Sequence, residues 1–82
     1  MKRVYFLQPS STRDGLWMEK AFLDFNNIDF ILTVFCEDYL DGKFGYRQFI
    51  NEKEQKIAFC YKPSWEDEYT DYIVEYTYYE II

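Results

Sequence analysis

The side chains that most often carry catalysis are scarce in this chain or lack a diagnostic spacing. Histidine is absent from all 82 residues, which removes the most common general base, the Ser-His and Cys-His nucleophile pairs and the most common zinc ligand. The 15 acidic residues form many carboxylate pairs without a recognisable spacing, and a chain this short leaves little depth for a substrate cleft. We therefore expect a protein that is not an enzyme.

Two cysteines and one acidic loop are the candidates for metal binding. Cys36 and Cys60 could form a two-thiolate site with Asp38, but the chain has no C-x-x-C pair and no histidine to complete it. The loop from Glu37 to Gly42 lacks the alternating oxygen ligands and the final glutamate of an EF-hand. We expect both cysteines to be free and buried in a reducing compartment, and we expect no metal or other cofactor.

Length and composition indicate one small folded domain over residues 1–82. Apolar residues make up 49% and aromatic residues 23% of the chain, which disfavours disorder and supplies large side chains for a small core. The longest apolar run, Phe30–Cys36, is far shorter than the ~20 residues that span a bilayer. The run after Lys2 and Arg3 is too short for a signal peptide. We expect a cytoplasmic protein without membrane contact.

Hydrophobic patterning predicts an α+β domain that starts with a β-α-β unit. Lys2–Leu7 is rich in β-branched and aromatic residues and predicts a strand that ends before Pro9. Ile28–Cys36 is apolar on both alternating sets and predicts a buried central strand. Between them, a helix that ends at Asn26-Asn27 is predicted from five apolar residues at helical spacing, namely Leu16, Trp17, Ala21, Phe22 and Phe25.

This opening resembles that of thioredoxin-like and glutaredoxin-like proteins, in which a strand, a proline and a short loop precede a helix and a second strand. That family carries two cysteines in the loop, whereas this chain has Ser11 and Asp14 at the comparable positions. The resemblance therefore implies β-α-β geometry without redox activity. Hydroxyl groups and Arg13 in this turn could hold an anion at the helix N-terminus, but we expect Ser11 or Thr12 simply to cap the helix.

The second half of the chain predicts an antiparallel hairpin and a long C-terminal strand. Phe44–Ile50 and Lys56–Tyr61 are strand-like runs on either side of the polar segment Asn51–Gln55. From Tyr69 onward, β-branched and aromatic residues alternate with polar ones, which favours a strand over the alternative helix starting at Ser64. The expected fold is four or five strands with one helix packed on one face.

Acidic residues and tyrosines are concentrated near the C-terminus. From Met1 to Pro63 the chain has nine acidic and nine basic residues, whereas Ser64–Ile82 has six acidic residues and no lysine or arginine. All eight phenylalanines precede Lys62, and five of the nine tyrosines follow it. Because tyrosine is amphipathic, this distribution predicts a Phe-lined scaffold and a surface rich in tyrosine and acid.

We expect the C-terminal segment to form an exposed patch that binds a basic partner. An extended chain would space carboxylates two residues apart by about 6.6 Å, comparable to the phosphates of a nucleic-acid strand. Aromatic rings beside them could stack on arginine side chains. The residues predicted to contact the partner are Trp65, Glu66, Asp67, Glu68, Tyr69, Asp71, Tyr72, Glu75, Tyr76 and Tyr79.

The acidic, tyrosine-rich profile is similar to that of phage-encoded anti-CRISPR and anti-restriction inhibitors of the DNA-mimic kind. It implies a small inhibitor that occludes the nucleic-acid-binding site of a basic protein, in the host cytoplasm if the gene is carried by a phage. A pI near 4.5 disfavours direct binding of nucleic acid. Two alternatives stay open, an immunity or antitoxin-type protein that neutralises a basic toxin and a structural subunit, including a homo-oligomer, that pairs through its C-terminal strand.

Overall fold

The computed structural model describes residues 2–9 and 15–81. It confirms an α+β fold with five strands in one antiparallel sheet and one α-helix. In this part of the chain, no helix has the length and apolar character needed to cross a membrane. The elements in chain order are β1 (Lys2–Gln8), β2 (Trp17–Phe22), a 3₁₀ turn (Phe25–Asn27), α1 (Ile28–Asp38), β3 (Gly42–Asn51), β4 (Lys56–Pro63) and β5 (Thr70–Ile81).

The C-terminal strand β5 lies at the centre of the sheet, whose order is β2-β1-β5-β4-β3. Its first half pairs with β4 and its second half with β1. The predicted hairpin is confirmed as β3 and β4, and the C-terminal segment is a strand and not a helix. Strands β2 and β3 form the edges of the sheet, while the register joins β5 to β4 over residues 70–75 and to β1 over residues 75–81.

The order of elements after β1 corrects the predicted β-α-β start, because a strand and not a helix follows it. Within β2 only Trp17 and Phe22 are buried, and their register partners on β1 are Leu7 and Tyr5. An irregularity in the register lets two residues five positions apart face the same side of the sheet. This irregular strand produced the apparent helical spacing. The predicted caps Ser11 and Thr12 lie outside the described residues.

The segment predicted as a central strand is α1. Apolar residues on both alternating sets favoured a strand, but one apolar stripe packed against the sheet decides the structure. That stripe follows the helical i, i+3, i+4, i+7, i+8 pattern and is fully buried, and it consists of Ile28, Ile31, Leu32, Phe35 and Cys36. Just before it, the Asp24 side chain accepts a hydrogen bond from the Asn26 amide at 2.8 Å, so the segment predicted to end a helix in fact begins one.

The hydrophobic core lies between α1 and one face of the sheet. The ring of Phe35 is central to it, with its centroid 5.2 Å from that of Trp17 and 5.1 Å from that of Tyr39. The other side of the sheet, which we call the open face, has no described helix or strand packed on it. Cross-strand pairing places on this open face, among others, Lys2 and Phe6 of β1, Asp71, Ile73, Glu75 and Tyr79 of β5, Lys56, Ala58, Cys60 and Lys62 of β4, and Lys43, Tyr46 and Phe49 of β3.

Candidate functional site

Three chain segments bring acidic residues together at one end of the molecule, which we call the acidic end. The C-terminal turn of α1, the loop before β3 and the turn between β4 and β5 surround an open depression of ≈ 430 Å³. Glu37, Asp41, Glu66 and Asp67 line this depression with Lys43 and Lys62. Asp38 and Glu68 are adjacent to them in the chain. Six acidic and two basic residues therefore carry a balance of −4, out of −6 for the whole chain.

Hydrogen bonds between backbone and side chains fix the geometry of this end. The Ser64 amide donates to the Asp41 carbonyl at 3.0 Å, and the Ser64 hydroxyl donates to Asp41 Oδ2, also at 3.0 Å. The Glu66 amide donates to the Pro63 carbonyl at 3.1 Å. Asp41 has a positive φ of 52°, a conformation that Asp tolerates better than most residues. The turn that carries Glu66–Glu68 is thus tied to the loop that follows α1.

The position of the acids at the end of α1 is electrostatically unfavourable. The C-terminus of a helix carries a partial negative charge, which favours basic side chains nearby. Here the last turn holds Glu37 and Asp38 and no basic residue. Among residues 2–9 and 15–81, none of the six carboxylates of the acidic end forms an ion pair. The fold therefore leaves this negative charge largely unneutralised.

The ten residues predicted from the sequence to contact a partner separate into three groups. The first, Trp65–Tyr69, is exposed in the turn between β4 and β5, at or beside the acidic end. The second group, on the open face, consists of Asp71, Glu75 and Tyr79. The third, Tyr72 and Tyr76, points to the side of the sheet that packs against α1. Tyr76 is buried and Tyr72 is half-buried against the core, so the predicted single patch of ten residues is not formed.

The expected regular spacing of carboxylates also requires correction. β5 begins at Thr70, so Glu66, Asp67 and Glu68 precede it in turns and bends instead of forming an extended track. Their arrangement depends on the tie between Ser64 and Asp41. The contribution of Glu37, Asp38 and Asp41 was missed from the sequence because these residues were assigned to a separate acidic loop. The first acidic segment spans the end of α1 and the loop before β3, and the second follows β4. The pairing of β3 with β4, in which Gly42 lies opposite Pro63, brings the two segments together.

Asp71, one of the predicted contact residues, belongs to a small polar cluster on the open face. Its Oδ1 accepts hydrogen bonds from the Cys60 thiol at 3.1 Å and from Gln48 Nε2 at 3.3 Å. A hydrogen bond from Tyr46 lowers the pKa of Cys60, but the hydrogen bond to Asp71, burial and the charge of Asp71 together raise that pKa above its ordinary value. Cys60 is therefore a protonated donor and not a reactive thiolate.

The two cysteines lie on opposite sides of the sheet. Both are free and buried, as predicted. Cys36 belongs to α1 and faces the core, whereas Cys60 belongs to the open face, so the two-thiolate metal site considered from the sequence is not formed. The described residues contain no group of three or more potential metal ligands among their cysteine and acidic side chains.

Comparisons with known protein families, with curated proteins and with solved structures found no match for this chain.

Proposed function

We propose that this chain is a small non-enzymatic inhibitor whose acidic end binds and occludes the basic nucleic-acid-binding site of a partner protein. The observation that carries the proposal is the convergence of six carboxylates from three segments, with two lysines beside them. Such a protein would act in the cytoplasm, which would be that of the host cell if a phage carries the gene.

Electrostatic attraction is the first step of the proposed mechanism. A concentrated negative potential at one end of an elongated molecule, 45 Å in its longest dimension, orients the chain as it approaches a cationic groove. Attraction of this kind raises association rates and weakens as salt screens the charges. Acidic residues at the C-terminus of a helix lower the stability of the fold, and such a cost is expected where the charge is needed for binding.

Aromatic side chains provide the second step. Trp65 and Tyr69 are both more than half exposed in the turn that carries Glu66–Glu68. Aromatic rings of this kind stack on arginine side chains and bury large areas at interfaces, which slows dissociation. The Tyr69 ring lies against Gly45, where an added Cβ would come within 2.7 Å of the ring. Gly45 thus allows this ring to lie close to β3 while its other side faces solvent.

Affinity capture followed by competition tests the proposal. The immobilised chain is incubated with an extract at low salt, and bound proteins are eluted with duplex DNA, single-stranded RNA or neither. We expect a basic nucleic-acid-binding protein that is released by one of the two nucleic acids. A partner that neither nucleic acid releases would support the immunity or antitoxin alternative and overturn occlusion of a nucleic-acid site.

Two charge-reversal variants of equal net charge show whether the partner binds the acidic end or simply the total charge of the chain. Glu66→Lys/Asp67→Lys reverses two charges at the acidic end, whereas Glu19→Lys/Glu52→Lys reverses two exposed charges elsewhere. Both double variants change the net charge from −6 to −2. Capture should be lost with the first variant and kept with the second. Equal loss with both would show that total charge, and not the acidic end, attracts the partner.

A further inference from the structure

Several large apolar and aromatic side chains on the open face are exposed to solvent. Tyr46, Phe49 and Tyr79 on this face are 58%, 55% and 55% exposed, and Ile73 is 53% exposed. Ile73 and Tyr79 belong to β5, the central strand. Sheets normally bury both faces or keep the solvent-facing side polar. Large apolar side chains on the uncovered side of a central strand therefore indicate a surface that another molecule covers.

We propose that the open face binds the open face of a second copy of this chain, which makes the protein a two-fold symmetric dimer of stacked sheets. This interface is separate from the acidic end and does not depend on the proposed inhibitory function.

The charge on the open face favours a second copy over a cationic partner. Cross-strand pairing places two acidic residues, Asp71 and Glu75, on this face with four lysines, Lys2, Lys43, Lys56 and Lys62, although the chain as a whole has a charge of −6. Asp71 is further satisfied by hydrogen bonds from Cys60 and Gln48. A basic surface would therefore find no excess of negative charge there, whereas a second copy offers Lys56 to Glu75 and Glu75 to Lys56.

The positions of large and small side chains are self-complementary. Ile73 and Ala58 are register partners on β5 and β4, and Ala58 is only 3% exposed beside the protruding Ile73. A two-fold axis that runs parallel to these strands and between them places each Ile73 over the Ala58 of the other copy. The same axis places each Glu75 over Lys56 of the other copy, because these two residues are also register partners. Isologous contacts require this kind of reciprocal match.

The exposed rings of the open face supply a substantial part of the area that such a dimer needs. A Tyr or Phe ring buries roughly 150–250 Å² when fully covered, so three half-exposed rings contribute roughly 250–400 Å² per copy. That is a third to a half of the ≈ 800 Å² per partner in a standard interface. Ile73, the half-buried Phe6 and the stems of the lysines add to it. Aligned packing of two sheets provides the layer that this side of the sheet lacks.

Sedimentation velocity over a range of concentrations from micromolar to hundreds of micromolar tests the dimer. The wild-type chain should sediment with twice its monomer mass of 10.1 kDa at the upper concentrations. Ile73→Lys and, separately, Phe49→Lys should sediment as monomers, because each places a charge in the contact. The control Phe30→Lys adds the same charge at an exposed position of α1 and should remain dimeric.

Charge reversal adds an independent readout with a matched rescue. Glu75→Lys and Lys56→Glu should each shift the equilibrium towards monomer, and the double variant should restore the dimer. The circular dichroism of each variant establishes that it is folded. A wild-type monomer at every concentration, or folded Ile73→Lys and Phe49→Lys variants that dimerise as the wild type does, would overturn the proposal. Glu66→Lys/Asp67→Lys should dimerise normally even if it no longer binds a basic partner.

Discussion

The Ser64 hydroxyl donates a hydrogen bond to Asp41 Oδ2 at 3.0 Å and ties the turn after β4 to the loop after α1. The backbone amide of Ser64 reinforces this contact by donating to the Asp41 carbonyl. Twenty-three positions separate these residues in the sequence. Their contact joins the two acidic segments that form the acidic end.

Removal of the Ser64 hydroxyl should loosen this connection. We expect Ser64→Ala to lower the free energy of unfolding by about 0.5–1.5 kcal/mol, the usual net value of one hydrogen bond. Denaturant titration measures this change, and faster hydrogen exchange at the Glu66 amide should accompany it. Asp41→Asn is the matched control, because Asn keeps an acceptor oxygen and tolerates a positive φ. If both variants had the same stability as wild type, the side-chain bond would contribute nothing.

Neutralisation of Glu37 should stabilise the fold while weakening the proposed binding. The carboxylate of Glu37 opposes the helix dipole of α1, so Glu37→Gln should raise the free energy of unfolding by about 0.3–1 kcal/mol at low ionic strength. Asp29→Asn is the control at the other end of the same helix. Asp29 lies in the favourable first turn and forms an ion pair with Arg47 at 3.5 Å, so its loss should destabilise. Changes of the same sign in both variants would contradict this electrostatic description.

Stability should decrease at alkaline pH because Cys36 stays protonated in the fold. Burial, with a smaller effect from the charge of Glu37, raises the pKa of Cys36 from 9.0 to about 12. The folded state binds more protons than the unfolded state between these values, so this contribution is fully present below pH 9.0 and is lost as pH rises towards 12. Burial also raises the pKa values of Tyr61 and Tyr76 above 10.0, which acts in the same direction.

The variant Cys36→Ala isolates this titration from that of the tyrosines. Its free energy of unfolding should be lower than that of wild type at neutral pH because of the cavity, but should fall less steeply between pH 9 and pH 10. Denaturant titrations at several pH values supply the two slopes. Equal slopes in wild type and variant would show that Cys36 does not cause the alkaline loss.

Truncation of Phe35 should be the most damaging change in the core. Phe35 is fully buried and contacts rings from β2, β4 and β5 as well as Tyr39. Phe35→Ala should cost about 3–5 kcal/mol, which approaches the total stability of a small domain. Phe35→Leu provides a milder variant if the alanine protein fails to fold. Thermal unfolding should show almost no effect of Phe30→Leu, since Phe30 is exposed on the same helix.

Local sequence signals predicted the elements that depend on alternation and turn residues. The strand character of β1, the β3–β4 hairpin and the strand β5 follow from runs of β-branched and aromatic residues. Fold class followed as well, because the same count of strands and helices results from either order of elements. Agreement in the number of strands therefore says little about the predicted fold, whereas the order of strands and helix distinguishes the two possibilities.

In the first half of the chain, local patterns predicted a helix where the structure has β2 and a strand where it has α1. The buried stripe of α1 fits a helix, but its neighbours Phe30 and Val34 are also apolar and made the segment look like a strand buried on both faces. In β2, burial of only Trp17 and Phe22 depends on an irregular register with β1. Register is set by the apolar patterns of both paired strands and by the turn between them, so the pattern of β2 alone does not specify it.

The candidate site was only partly predictable for a related reason. Composition located Glu66–Glu68 and Trp65 correctly on an exposed surface. The inward direction of Tyr72 and Tyr76 follows from alternation along β5 once the face covered by α1 is known. Glu37 and Asp41 join the site because the β3–β4 register places Gly42 opposite Pro63, so that the end of α1 lies beside the turn after β4.

The affinity of the captured basic partner for matched charge variants tests the central claim most directly. Isothermal titration at two salt concentrations should show that Glu66→Lys/Asp67→Lys loses at least tenfold in affinity, whereas Glu19→Lys/Glu52→Lys stays close to wild type. The difference should shrink at the higher salt concentration as screening weakens the attraction. Equal affinities for the two variants at the lower salt concentration would contradict the role of the acidic end.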